Sequence, residues 1–210
     1  MWVLLLYWLR KPGQCLQEVK VVRLRNEVIQ LIIDHYGYTS YLEIGIGNTR
    51  NHSLIKCENK ISVDPNGRAT YKMTSDKFFE EHAHEHQLDV IFIDGDHSRE
   101  QVKKDIANSL DVIDPKGTII LHDMNPGNKD MLNPRICDNG WEAFAELRTT
   151  RDDLNMFTYH EDCGVGVIQR GSQELYKGEI KSGWDFFSQN RNEVMKLIEF
   201  DQIKENLVGE

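Results

Sequence analysis

At 210 residues, with 40% hydrophobic and 28% charged residues, the chain has the length and composition of one folded domain with a sizeable core. Its 25 Lys and Arg against 34 Asp and Glu give a net charge of −9, the wrong sign for a protein whose main partner is duplex nucleic acid. Cys15, Cys57, Cys137 and Cys163 are widely spaced and form no Cys-x-x-Cys pair; this spacing is not that of a small disulfide scaffold or a zinc motif, and predicts reduced thiols in a cytosolic protein.

The opening Met1-Trp2-Val3-Leu4-Leu5-Leu6-Tyr7-Trp8-Leu9 is strongly apolar but too short to span a bilayer. Arg10 and Lys11 follow the run, whereas a signal peptide carries its charges first. The run is read as a segment docking on the core or on a second copy of the chain. A membrane-surface anchor is the alternative, and no stable membrane insertion is expected. After Pro12-Gly13, the apolar positions Val19, Val22, Leu24, Val28, Leu31 and Ile32 predict a one-faced helix over 16–36, stopped by Gly37.

Strand and helix then alternate. Strands are predicted over 41–44, 60–63, 89–93 and 118–121, with helices over 49–56, 77–86 and 98–110 between them. Repeated units of this length predict an α/β domain with a mostly parallel sheet and right-handed crossovers. Residues 124–140 are rich in Asn, Pro, Gly and Asp and read as a long functional loop. A helix over 141–148 follows, in which Trp141, Phe144 and Leu147 have core spacing. Strands over 156–159 and 165–169 then form an antiparallel hairpin. From Ser172 the chain reads as polar helix docking through Trp184, Phe186, Phe187, Val194, Leu197 and Ile198, so the expected division is 1–36, 37–171 and 172–210.

The chemistry concentrates where apolar runs stop at acidic residues and glycine. Glu43-Ile44-Gly45-Ile46-Gly47-Asn48 ends the first strand, and glycines at such a turn let backbone approach a ligand. Arg50 stands where a dinucleotide fingerprint needs its third glycine, which counts against an NAD-linked oxidoreductase. Asp64 ends the next strand, where it can accept both hydroxyls of a ribose or close an Asx-Pro turn with Pro65. The third run is Asp89-Val90-Ile91-Phe92-Ile93-Asp94-Gly95-Asp96-His97. The His-rich tract Glu80-Glu81-His82-Ala83-His84-Glu85-His86 is read as a polar helix face away from the cleft.

In one order, the Glu43-x-Gly45-x-Gly47 turn, Asp64-Pro65, Thr74-Ser75-Asp76-Lys77-Phe78-Phe79, Phe92-Ile93-Asp94-Gly95-Asp96-His97 and Gly117-Thr118-Ile119-Ile120-Leu121-His122-Asp123 resemble the class I S-adenosylmethionine-dependent methyltransferases. Within them the chain is most similar to small O-methyltransferases of the catechol and macrolide-sugar types, over residues 41–169. The resemblance implies a Rossmann-like, doubly wound, mostly parallel seven-stranded sheet with an antiparallel last pair and helices on both faces. It implies S-adenosylmethionine as cofactor, with Gly45 and Gly47 under its methionine part, Asp64 on its ribose, and Ser75 and Asp76 at its adenine edge. Glu43, Asn48 and Asp94 count with them as cofactor contacts. Asp76 is equally a candidate helix cap.

The same resemblance places the strands ending at Asp94 and Asp123 side by side, about 5 Å apart. Two carboxylates so close repel and raise each other's pKa unless a cation joins them, and their oxygens suit Mg²⁺ or a similar hard ion. His97 would be the general base that takes the acceptor's proton, with Asp94 organising the acceptor. One departure stands out: Met124 follows the second aspartate where the metal-dependent relatives have asparagine, so Asp96, His122 or Asn125 would have to replace that ligand. The implied reaction is O-methylation of a hydroxyl on a small molecule or sugar. A non-catalytic adenosine-binding scaffold is the rival from another class.

Overall fold

The computed structural model describes residues 22–209. Its centre is a seven-stranded sheet in the order β2-β1-β3-β4-β6-β5-β7. The strands are β1 (Ser40–Ile44), β2 (Asn59–Val63), β3 (Val90–Ile93), β4 (Thr118–Leu121), β5 (Leu154–Tyr159), β6 (Val165–Arg170) and β7 (Leu197–Ile198). β6 runs antiparallel to both its neighbours, β4 and β5, whereas the other pairings are parallel. Past β2 the chain returns for a single parallel bridge between Val63 and Tyr71.

Side-chain alternation splits the sheet into two apolar faces. Leu42, Ile44, Ile91, Ile93, Ile119, Leu121, Met156 and Ile168 point to one face. The short α2 (Arg50–Leu54) joins β1 to β2, and helices α3 (Ser75–Glu81), α4 (Arg99–Val112), α5 (Trp141–Thr150) and α6 (Trp184–Val194) cover this face with Phe78, Ile106, Trp141, Phe144 and Phe187. Tyr41, Val90, Phe92, Ile120, Phe157 and Val167 point to the other face, under α1 (Arg25–Tyr36) and α7 (Ile203–Asn206). Period-two strands between two helical layers are what a doubly wound sheet requires, and each buried aliphatic side chain contributes roughly 1.5–3 kcal/mol. Trp141 and Phe144 are fully buried in this core and so are not part of a substrate cage.

Three predicted elements come out differently. The first helix begins at Arg25, not residue 16, and buries Val28, Ile29, Ile32 and Ile33, while Val22 and Leu24 stay exposed; residues 16–21 and the apolar opening run lie outside the described residues. The Glu27 carboxylate accepts the Leu24 backbone N–H at 3.0 Å and fixes this start; Gly37 (φ 66°) ends the helix as expected. The segment after Ser172 is not continuous helix. It runs irregularly to Gly183, forms α6, and then gives the sheet its seventh strand. The loop 124–140 contains one short 3₁₀ turn, Lys129–Leu132. No helix among the described residues is long and apolar enough to cross a membrane.

Candidate active site

β1 is the point where the sheet order reverses, with β2 on one side and β3 on the other. Crevices in open α/β sheets form at the carboxyl ends of such strands. A cleft of about 1200 Å³ lies there, lined by Glu43, Gly45, Gly47, Asn48, Asp64, Ser75, Asp76, Asp94 and His97, nine of the predicted site residues. Asp123 does not line it and stands behind His97. The His-rich tract is also absent from the lining; His86 Nε2 instead meets the Tyr71 hydroxyl at 2.8 Å.

The two glycines of the first turn do different work. A Cβ at Gly45 (φ 83°) would lie 2.2 Å from the Asp94 carbonyl oxygen, so its bare backbone lets the β1 and β3 loops touch. A Cβ at Gly47 (φ 45°) would meet nothing within 4 Å and would project into open space. Asp64 closes its own turn, with Oδ1 accepting the N–H groups of Asn66 (2.7 Å) and Gly67 (2.9 Å). Its Oδ2 accepts the Gly47 N–H at 3.2 Å and, among the described residues, no other donor, which leaves a lone pair for a ligand hydroxyl. The turn reading of Asp64 therefore holds through Oδ1, and Oδ2 faces the cleft beside Gly47.

Thr74, not Asp76, caps α3 by accepting the Lys77 N–H. Asp76 instead accepts from Gln101 Nε2 at 2.9 Å and Lys104 Nζ at 3.3 Å, and the Gln101 bond holds its carboxyl below the ordinary value. Gln101, which also reaches Ser75 Oγ at 3.2 Å, lines the cleft but was not singled out from the sequence. At the other end, burial lifts the Glu43 carboxyl to about 7. It accepts from the Tyr41 hydroxyl at 2.7 Å, and Asn51 Nδ2 donates to that hydroxyl at 3.3 Å. Asn51 Oδ1 is buried and meets no donor among the described residues. A cleft with one unmatched acceptor, one carboxylate at its floor and one free Asp64 lone pair fits a ligand rich in N–H and O–H donors, as the cationic methionine and ribose parts of S-adenosylmethionine are.

Next to the cleft three carboxylates and three cationic side chains interlock. Arg25 Nη1 donates to Asp94 Oδ2 at 2.9 Å, and Arg25 Nε to Asp162 Oδ2 at 3.1 Å. His122 Nδ1 lies 3.3 Å from Asp94 Oδ1 and 3.1 Å from Asp123 Oδ1, while its Nε2 donates to the Asp162 carbonyl at 2.7 Å. His97 Nδ1 donates to Asp123 Oδ2 at 2.8 Å. Burial alone would lower the pKa of both histidines, but these carboxylates outweigh it and hold His97 above, and His122 well above, the usual imidazole value. Burial would raise Asp123 and Asp162, yet their cationic partners keep both well below the usual carboxylate range. The cation that the Asp94–Asp123 pair demands is thus supplied from within, by His122 and Arg25. His122 is the one of the three suggested replacement residues that reaches both carboxylates; Asp96 caps the Ser98 N–H at 2.8 Å, and Asn125 Nδ2 donates to the His160 carbonyl at 2.6 Å. Met124 is buried in the apolar core.

His97 Nδ1 faces two acceptors, Asp123 Oδ2 and the Ile136 carbonyl, so it must carry a proton. In the neutral ring the lone pair therefore sits on Nε2, 3.7 Å from Asp94 Oδ1. An imidazole oriented by a buried carboxylate, with its other nitrogen available, is equipped to accept a proton. Arg25, Gln101, Asn51 and Asp162 complete the site, and no local motif announced them; His122, weighed from the sequence as a metal ligand, instead joins them as a partner of both carboxylates.

Residues 39–124 match a family described as a methyltransferase domain. No curated protein sequence matches the chain. Among solved structures, a candidate caffeoyl-CoA O-methyltransferase from Staphylococcus aureus is similar with a TM-score of 0.58 and 15% identity, over 72% of this chain and 85% of that one. An O-methyltransferase from Bacillus cereus in complex with SAH gives 0.54 and 16%, over 71% and 82%. The MycE methyltransferase of the mycinamycin biosynthetic pathway, in complex with Mg, SAH and mycinamycin VI, gives 0.50 and 16%, over 75% and 51%. At such identities the structures share a fold with this chain. Residues 39–124 thus match a methyltransferase domain, and the cleft at the sheet's switch point lies within the fold that these solved methyltransferases share with the chain.

Proposed function

We propose that the protein transfers a methyl group to a hydroxyl of a small-molecule or sugar acceptor, with His97 as general base. The observation that carries this reading is His97 on the cleft wall, its Nδ1 pinned by Asp123 and its Nε2 left to take a proton. S-adenosylmethionine, when bound, would supply a sulfonium methyl to the attacking acceptor oxygen, with S-adenosylhomocysteine as the leaving group. Asp64 would hold its ribose through Oδ2, Ser75, Asp76 and Gln101 its adenine edge, and Glu43, Gly45, Gly47 and Asn48 its methionine end. Asp94 would orient the acceptor hydroxyl beside His97 Nε2. Most of the rate enhancement in such a displacement comes from alignment and exclusion of water. Pro134, Arg135, Ile136 and Asp138 of the 124–140 loop lie along the cleft and suit that task. Leu24, Leu54 and Ile136, three exposed apolar side chains, all border this cleft, which favours an acceptor with an apolar face.

Mg²⁺ at Asp94 and Asp123 does not fit the side chains as they stand. Each of the four carboxylate oxygens already faces a cation or N–H donor, and with no thiolate to offset its charge a dication there would stand against both Arg25 and His122, whose pKa is held well above the usual imidazole value. The reaction proposed here takes its positive charge from those two residues. Calorimetry with S-adenosylhomocysteine tests the cofactor site: Asp64→Ala should weaken binding about 10- to 100-fold, the worth of a hydrogen bond to a charged group. Unchanged affinity removes Asp64 from the site. Turnover with a hydroxyl-bearing acceptor should not rise on adding Mg²⁺; a strict Mg²⁺ requirement would overturn the internal-cation mechanism. We further propose a cytoplasmic location, in keeping with three cysteines that stand as free thiols.

A further inference from the structure

We propose that Asp123, Cys137 and Cys163 form a binding site for a thiophilic divalent ion, zinc first among them. The three residues come from the end of β4, the 124–140 loop and the β5–β6 turn. Their sulfurs and a carboxylate oxygen lie within 4.8 Å of one another, with Cys137 Sγ 3.3 Å from Asp123 Oδ1. Bonds of about 2.3 Å to sulfur and 2.0 Å to oxygen in a tetrahedron separate the donors by about 3.5 Å. The observed triangle needs only a small contraction. Two thiolates and one carboxylate select zinc over magnesium, because soft sulfur donors favour the more polarisable ion.

The frame holding these donors is rigid. Met124 N–H donates to the Gly164 carbonyl at 3.1 Å and Asn125 N–H to the Cys163 carbonyl at 2.6 Å, locking the end of β4 to the hairpin turn. Asp123 (φ 62°), Asp138 (φ 48°), Asp162 (φ 50°) and Cys163 (φ 59°) are four of the six non-glycine residues with positive φ among those described. Such costly conformations gather where side chains must be aimed. Cys137 and Asp123 are buried, which shields the site.

The site uses Asp123 Oδ1, whereas His97 is held by Oδ2, so the inference goes beyond the methyl-transfer reading and does not rest on it. Binding releases two thiol protons, and the loss of the Cys137 S–H frees an Oδ1 lone pair for the metal while His122 keeps its contact. Three protein ligands leave a fourth position for water. The bound ion would tie the loop bordering the cleft to the β5–β6 turn.

Titration of the reduced, chelator-treated protein with Co²⁺ tests this. One equivalent should give a thiolate-to-cobalt charge-transfer band with tetrahedral d–d bands, abolished by Zn²⁺. Two of the four cysteines should become protected from a thiol reagent when zinc is added. Cys137→Ser and the half-buried Cys163→Ser should each weaken binding at least about tenfold, and Cys57→Ser should not change it. Circular dichroism separates a lost ligand from a lost fold; should Cys137→Ser unfold, Cys163→Ser decides. Wild-type protein without the charge-transfer band, or Cys163→Ser binding as tightly as wild type, overturns the proposal. So does a Cys137–Cys163 disulfide, seen as a mass lower by two hydrogens, that persists in the presence of reductant in place of metal uptake. Loss of cofactor binding or turnover would leave the cobalt spectrum intact, so the two readings fail separately.

Discussion

His97 shows how much one hydrogen bond decides. With Nδ1 committed to Asp123 and the Ile136 carbonyl, proton transfer is confined to Nε2. Asp123 also raises the ring's pKa, so the proposed base is unprotonated only above the ordinary value of 6.5. The pH profile of kcat/KM should therefore rise through a limb placed above pH 6.5, and Asp123→Asn should move that limb downward. His97→Ala should lower turnover about 10²- to 10⁴-fold and keep cofactor affinity; full turnover excludes it as base. The glycines offer a contrast at the same scale. Gly45→Ala drives a Cβ into the Asp94 backbone and should cost more than about 2 kcal/mol in denaturant unfolding. Gly47→Ala meets nothing and should cost about 1 kcal/mol, through its backbone angle alone.

Helix α1 is more than a cover for the sheet. Its first residue, Arg25, has its backbone N–H accepted by Asp162 Oδ2 at 2.7 Å, a cap supplied from 137 residues away. The same side chain steadies Asp94, so the helix start, the β5–β6 turn and the β3 end are one electrostatic unit. Asp162→Ala should destabilise the protein by about 2 kcal/mol or more, because it removes a cap and one of the carboxylates shared by the part-buried Arg25 and His122. A loss within about 0.5 kcal/mol of zero would show the unit to be ornamental. Element boundaries also show where sequence reasoning ends. Val194, Leu197 and Ile198 keep helical spacing, yet Lys196 takes a left-handed turn (φ 48°) and the last two pair with β5. Periodicity cannot see a pairing decided by a distant strand edge.

Across the whole molecule, stability should follow the charged cluster. Asp123 and Asp162 are depressed in the fold, so their contribution is present above the unfolded value of about 3.9 and is lost as pH falls through their folded values. His97 and His122 are raised, so theirs is full below about 6.5 and fades as pH rises through their folded values. Urea midpoints should therefore peak between about pH 4 and 6.5; a steady climb from pH 6 to 8 would contradict the assignment. Gly45, Gly47, Asp64, Asp94 and His97 were legible because each sits where a strand's apolar run ends, a mark carried locally by the sequence. Arg25, Asp162 and the Cys137–Cys163 pair were not, and His122 was legible as a candidate ligand but not as a partner of Arg25 and Asp162, since these meanings lie in contacts spanning up to 137 residues.

The reversed strand β6 has a consequence for synthesis. Strand β4 bonds to β3 on one side and on the other to β6, which emerges only after the 124–140 loop, α5 and β5. A nascent chain leaving the ribosome N-terminus first thus presents Thr118–Leu121 as a naked apolar edge until the late hairpin arrives, an interval open to clumping with neighbours. The hairpin that carries Asp162 and Cys163 is also the latch that ends this vulnerable period.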